Sequence, residues 1–406
     1  MIYAINGTIK LSQFTFLKDL KGFAVYLKGS NRLARLLKVC IVTPTFLPRI
    51  GGAEIGIYEL SQRLLKRGHY VTLITPRFGE MKTREEIDGI EIYRFPTSRN
   101  FGGIFTGLAP FYKLLPKLNP DIVNMHYIVP TGYCSTMVCK TFQIPTVLSL
   151  IGWDVISPRA SARPFMKLLM KNVKRIACIS SYVMQRALEL GAPPSRTEVV
   201  PFGVDVNQFN PQIDGKSVRE MYGVRDKTIV LAVQRISPRK AVEYLIYAIP
   251  IVLRTFPETI FFIIDGGEKM KKLEKMARKL KIADKTIFVD SAPRSMLPKY
   301  YAAADIFVLH SLSEALGLVL LEAMSSGKPV VTTRAGGMID VVEDGKTGFL
   351  VKPKNPTELA KAIGILIKDK QLRKKMGRNG RIKAVKNFSW ENIAHRMLKI
   401  YLEAME

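Results

Sequence analysis

Short apolar runs of strand length alternate with stretches of helical periodicity through almost the whole chain. That alternation restricts the fold to parallel sheets with crossover helices, an α/β architecture. Residues 38–43 (KVCIVT) are continuously apolar, the pattern of a strand buried on both faces. The glycine pair Gly51 and Gly52 follows, and residues 54–66 then place Ile57, Leu60, Leu64 and Leu65 on one side of a helix. Further strands are expected at 71–75, 89–95, 121–125, 145–150 and 175–179. The pattern restarts at 228–234 (TIVLAVQ), with a helix over 241–255 and strands at 259–264, 286–289, 306–309 and 329–332. From Pro356 onward the chain reads as helices. A length of 406 residues exceeds one ordinary core. The predicted division is an extension at 1–37, one sheet unit over 38–205, a second over 206–387, and a last helix at 388–406 that rejoins the first unit. The boundary falls in a polar stretch at 203–211 (GVDVNQFNP). Two such units facing one another form a cleft at the carboxyl ends of their strands, where sheets of this kind bind ligands.

Hydrophobic residues at 47% and charged residues at 24% exclude wholesale disorder. The excess of 62 Lys and Arg over 34 Asp and Glu gives a net charge of +28, which points to an anionic partner or to a lysine-rich solvated surface. No apolar run reaches the roughly 18 residues of a membrane span. The first 37 residues carry Lys10, Lys18, Lys21, Lys28, Arg32 and Arg35 against one acid, Asp19. Two readings stand: an interfacial segment turning Phe14, Phe16, Phe23 and Tyr26 to lipid, or a start placed upstream of the true first strand. The four cysteines have no zinc-ligand spacing and are too few for a disulfide scaffold, so buried thiols are expected.

Chemistry concentrates in the loops that open on the cleft. In residues 311–331 (SLSEALGLVLLEAMSSGKPVV), Glu314 and Glu322 stand eight positions apart and Gly317 precedes a helical run at 318–325. A helix N-terminus preceded by small residues exposes backbone N–H groups that bind phosphate. A carboxylate just before it can take a sugar hydroxyl, and a second one further along can accept from a ribose diol. Two acids on a surface helix would leave the same local pattern. Arg235 and Lys240, directly after the first strand of the second unit, can stabilise charge on a diphosphate leaving group. A basic solvent-facing loop is the plainer alternative. Gly51 and Gly52, and likewise Gly266 and Gly267, follow strands and let a phosphate or sugar approach the backbone. His126 lies just past the strand at 121–125, where it could touch a transferred sugar, and Asp154 is similarly placed after Gly152 and Trp153. No Asp-x-Asp occurs in the chain, so no metal site is expected and neutralisation falls to Arg235 and Lys240.

Together these residues resemble glycosyltransferase family 4, the retaining group 1 transferases of the GT-B fold. The resemblance runs from Lys38 to about Tyr401 and is carried by Ser311, Glu314, Gly317, Leu318, Glu322, Ala323, Met324, Gly327 and the run Pro329-Val330-Val331. Gly336-Gly337, the stretch from Asp344 to Val351, the inter-domain run Val200 to Asp205 and the ending Phe388-Ser389-Trp390 extend it. It implies two Rossmann-like domains facing a central cleft, with an acceptor domain at 38–205 and a nucleotide-sugar domain at 206–387. It further implies a hexosyl transfer from a UDP- or GDP-linked donor to a glycan or lipid-linked acceptor, with no cofactor and no divalent metal. By resemblance Glu314 holds the donor sugar and Glu322 the ribose. Leu316, Gly317 and Leu318 meet sugar and diphosphate through their backbone, and Arg235 and Lys240 bind the diphosphate. Gly51, Gly52 and Gly267 line the donor site, His126 contacts the sugar, and Asn124 and Asp154 lie on the acceptor side. Several positions depart from the family pattern. Gln234 and Ala241 replace glycines, Asn124 and Ile151 replace histidines, and Asp340 replaces a glutamate.

Other classes fit less well. A dehydrogenase needs Gly-x-Gly-x-x-Gly after its first strand, which this chain lacks, and no nucleic-acid module is recognisable. A non-catalytic sugar-nucleotide-binding protein of the same fold is the remaining alternative. Arg159, Arg163, Lys167, Lys171, Lys174 and Arg175 accumulate in the first unit, so an anionic membrane surface is an expected partner, with the protein cytoplasmic and peripheral on the inner face.

Overall fold

The computed structural model describes residues 24–25, 34–96, 104–128, 131–158, 162–235, 237–264, 270–290 and 292–406. Most of the 1–37 extension, Arg159, and the glycine pair Gly266 and Gly267 lie outside the described residues. Of the extension, Ala24–Val25 pairs antiparallel with Ala34–Arg35, and Arg35 Nη2 reaches Asp121 Oδ1 at 2.8 Å.

Two sheets carry the fold. Across the first, in order, run Thr197–Val199, Arg175–Cys178, Thr146–Leu150, Ile122–His126, Lys38–Val42, Tyr70–Arg77, Ile90–Pro96 and Arg84–Ile87. All neighbours are parallel except the last pair. Across the second run Thr286–Val289, Thr259–Ile264, Thr228–Val233, Ile306–Leu309, Val330–Thr333 and Gly348–Val351, all parallel. Strands such as Ile122–His126 and Thr259–Ile264 are buried along their whole length, as helices on both faces require.

Three strands escape the apolar-run criterion. Arg84–Ile87 is REEI, a charged edge strand whose polarity suits the outside of a sheet. Thr197–Val199 is only three residues long. Gly348–Val351 begins on a glycine because a Cβ there would fall 2.0 Å from the Val330 carbonyl oxygen of the neighbouring strand.

In each sheet the chain starts in the middle. Lys38–Val42 lies between Tyr70–Arg77 and Ile122–His126, and Thr228–Val233 lies between Thr259–Ile264 and Ile306–Leu309. The loops leaving the two central strands therefore diverge and open a crevice at the strands' carboxyl end. That crevice receives Gly51 and Gly52 in the first sheet, and Arg235, Lys240 and residues 311–317 in the second.

The C-terminal helices Pro356–Lys368 and Lys370–Phe388 start at Asn355 and Asp369, whose side chains accept from Glu358 N at 3.0 Å and Leu372 N at 2.8 Å. The last helix, Trp390–Met405, crosses to the first sheet and packs on helix Gly52–Lys66 and strands Thr146–Leu150 and Arg175–Cys178. The outgoing and returning crossings touch. Val204 N donates to the Phe388 carbonyl at 2.8 Å, and the Phe202 and Trp390 rings lie 5.8 Å apart. Arg63 joins both crossings to the first domain, reaching Glu59, Asp205 at 2.9 Å and Glu391 at 3.3 Å.

Candidate active site

Glu314 is fixed by its own loop. Its Oε1 accepts from Ser311 Oγ at 2.6 Å and pairs with the Lys240 ammonium. The loop is held from behind. Gly337 N donates to the Glu314 carbonyl at 2.9 Å, and Thr333 Oγ1 donates to the Ser311 carbonyl. A Cβ on Gly336 would fall 2.2 Å from the Glu314 carbonyl oxygen, and one on Gly337 would fall 2.0 Å from that of Ala315. The glycine pair is therefore a condition for the loop's position.

Gly317 adopts φ 94° and starts helix Leu318–Ser325 without a side-chain cap. Leu320 N donates to the Gly317 carbonyl at 2.9 Å, and the N–H groups ahead of it and the positive end of the helix dipole are left for a ligand. Helix Gly52–Lys66, which follows Gly51, also lacks a side-chain cap. The two N-termini meet across the cleft. A Cβ on Gly52 would lie 3.3 Å from Leu318 Cδ1, and one on Gly51 would lie 3.9 Å from Arg235 Nη2. Arg235 Nη2 donates to the Ile50 carbonyl at 3.3 Å. The structure thus brings together Gly51, Gly52, Arg235, Lys240, Glu314, Gly317 and Leu318. Leu316 is buried beside them. Gly267 lies outside the described residues. Nearby the domains also touch where the Asp340 carboxylate accepts from Ser181 N at 2.6 Å and from Ser181 Oγ.

Glu322 is buried deeper in the helix. Its Oε2 accepts from the Tyr301 hydroxyl at 2.8 Å, and Arg294 Nη1 stands 3.6 Å from Oε1. Burial raises its pKa, while the Arg294 charge and the Tyr301 hydrogen bond act in the opposite direction. Neither partner was singled out from the sequence. Arg294 follows strand Thr286–Val289 at the cleft end, so the positional rule that found Arg235 could have found it. Tyr301 lies in helix Leu297–Ala303 and carries no local signal.

The first-domain residues are distributed differently. His126 is closed off from solvent and faces a small cavity with Leu60, Ser149, Phe202 and Met397. Burial pushes its pKa down to about 3, so its ring is neutral. Its Nδ1 is buried with no hydrogen-bond partner among the described residues. Asn124 is not open to the cleft. Its amide donates to the Tyr401 hydroxyl at 2.7 Å and its Oδ1 accepts from Ser149 Oγ at 2.9 Å, which ties the sheet to the last helix. Asp154 is also enclosed. Its Oδ2 accepts from Ile128 N at 3.1 Å, its Oδ1 has no partner among the described residues, and burial pushes its pKa up to about 7.

Between these groups stands Tyr127, which the sequence did not mark. It has φ 68°, a strained conformation for a bulky residue, and burial raises its pKa, with the Asp154 and Glu54 carboxylates acting in the same direction. A Cβ on Gly132 would fall 2.3 Å from its carbonyl oxygen. Glu54 in turn accepts from Thr45 Oγ1 at 2.5 Å.

Comparison with known proteins covers both halves. Residues 218–383 match the profile of glycosyl transferases group 1, and residues 50–208 that of Glycosyltransferase Family 4. The D-inositol 3-phosphate glycosyltransferase of Kribbella flavida is 30% identical over 394 residues, covering 88% of this chain and 91% of that protein. The GDP-mannose-dependent alpha-(1-6)-phosphatidylinositol monomannoside mannosyltransferase of Mycolicibacterium smegmatis is 29% identical over 378 residues, covering 89% of this chain and 97% of that one. Among solved structures, Anabaena HepE in complex with UDP and glucose superposes with a TM-score of 0.74 at 22% identity, covering 89% of this chain and 98% of that one. The sucrose-phosphate synthase of Thermosynechococcus elongatus gives 0.75 at 21% identity, over 90% and 98%.

Proposed function

Since the chain belongs to the group 1 glycosyltransferases, enzymes that use nucleotide sugars on the GT-B fold, we propose that it retains anomeric configuration while moving a hexosyl unit from a UDP- or GDP-linked donor to a glycan or lipid-linked acceptor. The single observation that carries this reading is the Lys240–Glu314 pair, set beside the uncapped N-terminus of Leu318–Ser325 and opposite Gly51 and Gly52. The relatives named for GDP-mannose and the neighbour holding UDP and glucose support a hexose on a nucleoside diphosphate.

In this reading the helix N-terminus, Arg235 and Lys240 take the diphosphate. Fixed cations and dipoles there stabilise the charge that builds as the glycosidic bond breaks. They do so without a metal or any cofactor beyond the donor. Glu314, held by Ser311 and Lys240, orients a sugar hydroxyl, and Glu322 reaches the ribose by exchanging its bond to Tyr301. His126, neutral and closed off from solvent, stands in this reading behind the sugar site as part of the first domain's inner wall. The acceptor oxygen forms its bond to the anomeric carbon on the face the diphosphate leaves. The acceptor proton passes to the departing phosphate oxygen, so no protein base is required. Asp154, its carboxyl enclosed and bound to Ile128 N, and Tyr127 back the acceptor side in this reading.

No helix among the described residues is long and apolar enough to cross a membrane. A lipid-linked acceptor would then be met at the cytoplasmic face of a membrane, with the protein bound peripherally.

The test is a thermal-shift panel of UDP, GDP and ADP with their sugars, followed by transfer or donor-hydrolysis assays. Glu314→Gln and Lys240→Ala are expected to lower kcat/KM by about 100-fold or more, the scale for removing one oriented charge-stabilising group. Donor binding without turnover in the wild type would make the protein a non-catalytic binder. Unchanged turnover in both variants would remove these residues from the mechanism.

A further inference from the structure

One face of the first domain has a character the cleft does not use. Between Glu91 and Glu189 the only acids are Asp121 and Asp154, and the Asp154 residue is half-buried with its carboxyl oxygen Oδ1 enclosed. Helices Ile104–Leu118, Thr131–Thr141 and Arg163–Asn172 lie side by side there. The third helix buries Met166, Leu169 and Met170 against the domain. Its outer side shows Arg163, Lys167 and Lys171 together with two large apolar side chains, Phe165 and Leu168, exposed by 39% and 45%. Tyr112 on helix Ile104–Leu118 and Phe142, just past the end of Thr131–Thr141, are exposed by 44% and 42% and form an edge-to-face pair at 5.9 Å. Phe165 itself stands edge-on to Tyr133 at 5.4 Å. Among the described residues no carboxylate pairs with Arg163, Lys167 or Lys171.

We infer that this face docks on an anionic lipid surface, with Phe165 and Leu168 entering the headgroup region and Arg163, Lys167 and Lys171 on the lipid phosphates. Exposed aromatic and aliphatic side chains flanked by cations are the composition that favours an interface between water and acyl chains. A polyanion such as RNA would use the cations alone and leave Phe165 and Leu168 in water unless bases stacked on them. The topology adds a reason. Strand Thr146–Leu150 ends at the cleft and Arg175–Cys178 begins at the opposite end of the sheet, so Arg163–Asn172 runs away from the cleft rim. Arg163 and Phe165 therefore lie toward the rim, where a headgroup lifted from the bilayer would enter. The inference deepens the lipid-linked acceptor named above and rests on that reading.

The test is flotation of the full chain with vesicles of phosphatidylglycerol and phosphatidylcholine, against phosphatidylcholine alone. The wild type should float with the anionic vesicles, and high salt should release much of it. Phe165→Ser with Leu168→Ser should weaken binding about tenfold or more, the factor for withdrawing two apolar side chains from lipid. Lys167→Glu with Lys171→Glu should weaken it at low salt. Lys374→Glu with Lys375→Glu, an equal charge change on exposed positions of the second domain, should leave it unchanged. Equal losses in both charge variants, wild-type binding in the Phe165 and Leu168 variant, or binding to single-stranded RNA with none to vesicles would each overturn the inference. The donor thermal shift, read in parallel on every variant, separates the two ideas. Vesicle binding without a nucleotide shift sinks the proposed function, and a nucleotide shift without vesicle binding sinks this inference.

Discussion

At Asp154, a carboxyl group buried against the first sheet has its pKa raised to about 7, well above the ordinary value of about 3.9. The sign follows from linkage. The folded state favours the protonated form, so this contribution is full below about pH 4 and is lost as pH rises toward 7. His126 and His310 act with the opposite sign. Burial pushes both down to about 3, so their contribution is present above about 6.5 and lost as pH falls toward 3. Asp154→Asn is therefore expected to raise Tm at pH 8 relative to wild type, with little change at pH 4. A melting series across that range checks it, and a gain confined to low pH would contradict the burial account. Two departures from the family pattern also acquire contacts or costs. Gln234 Nε2 lies 3.0 Å from His310 Nε2, behind Lys240. Ala241 adopts φ 49° at the start of helix Val242–Thr255, the left-handed conformation that a glycine would take with less strain.

Helices and loops, rather than single side chains, set the shape of the donor site. Helix Leu318–Ser325 was readable in advance because Gly317 breaks the chain just before an apolar run. The counter-loop at Gly336 and Gly337 was readable only as a motif. Its reason is the 2.0–2.2 Å clearance to the carbonyls of Glu314 and Ala315. Gly337→Ala is expected to displace residues 314–315. It should lower stability by about 2 kcal/mol or more and raise the KM for the donor more than it lowers kcat. Urea melts and steady-state kinetics on the variant check this, and an unchanged KM would show that the loop's position does not matter. The strand Arg84–Ile87 was not legible, because REEI offers no apolar alternation and its pairing is decided by the neighbouring Ile90–Pro96.

On the scale of the molecule, two chain crossings at one place govern how the domains are held. Arg63 sits where they meet, mostly buried, with Glu59, Asp205 and Glu391 around it. Hydrogen bonds from Asn207 and Gln208 N–H groups and the Arg63 charge outweigh burial and lower the Asp205 pKa. Arg63→Met keeps the aliphatic stem and removes the cation, leaving three carboxylates facing one another. A loss of about 3 kcal/mol is expected, as for breaking a partly buried ion cluster. Denaturant unfolding followed by tryptophan fluorescence reads it, since Trp390 lies at the crossing. A variant as stable as wild type would show that apolar packing around Phe202 and Trp390 suffices.

Local pattern determined a great deal by itself: parallel sheets with crossover helices, the restart at Thr228, the short helix after Gly317, and Glu314 with Arg235 and Lys240 at strand ends. Each depends on neighbours within a few positions, through side-chain periodicity, glycine torsions or the end of a strand. Tertiary structure decided what depends on distant partners. It enclosed His126, engaged Asn124 with Tyr401 across 277 positions, and put Tyr301 and Arg294 against Glu322. It also set Gly52 against Leu318 and gathered the cations and apolar side chains of three helices on one face. A side chain's type and spacing state what it can bond. Whether it spends that capacity on the core, the opposite domain or a ligand is settled only by which segments the fold packs together.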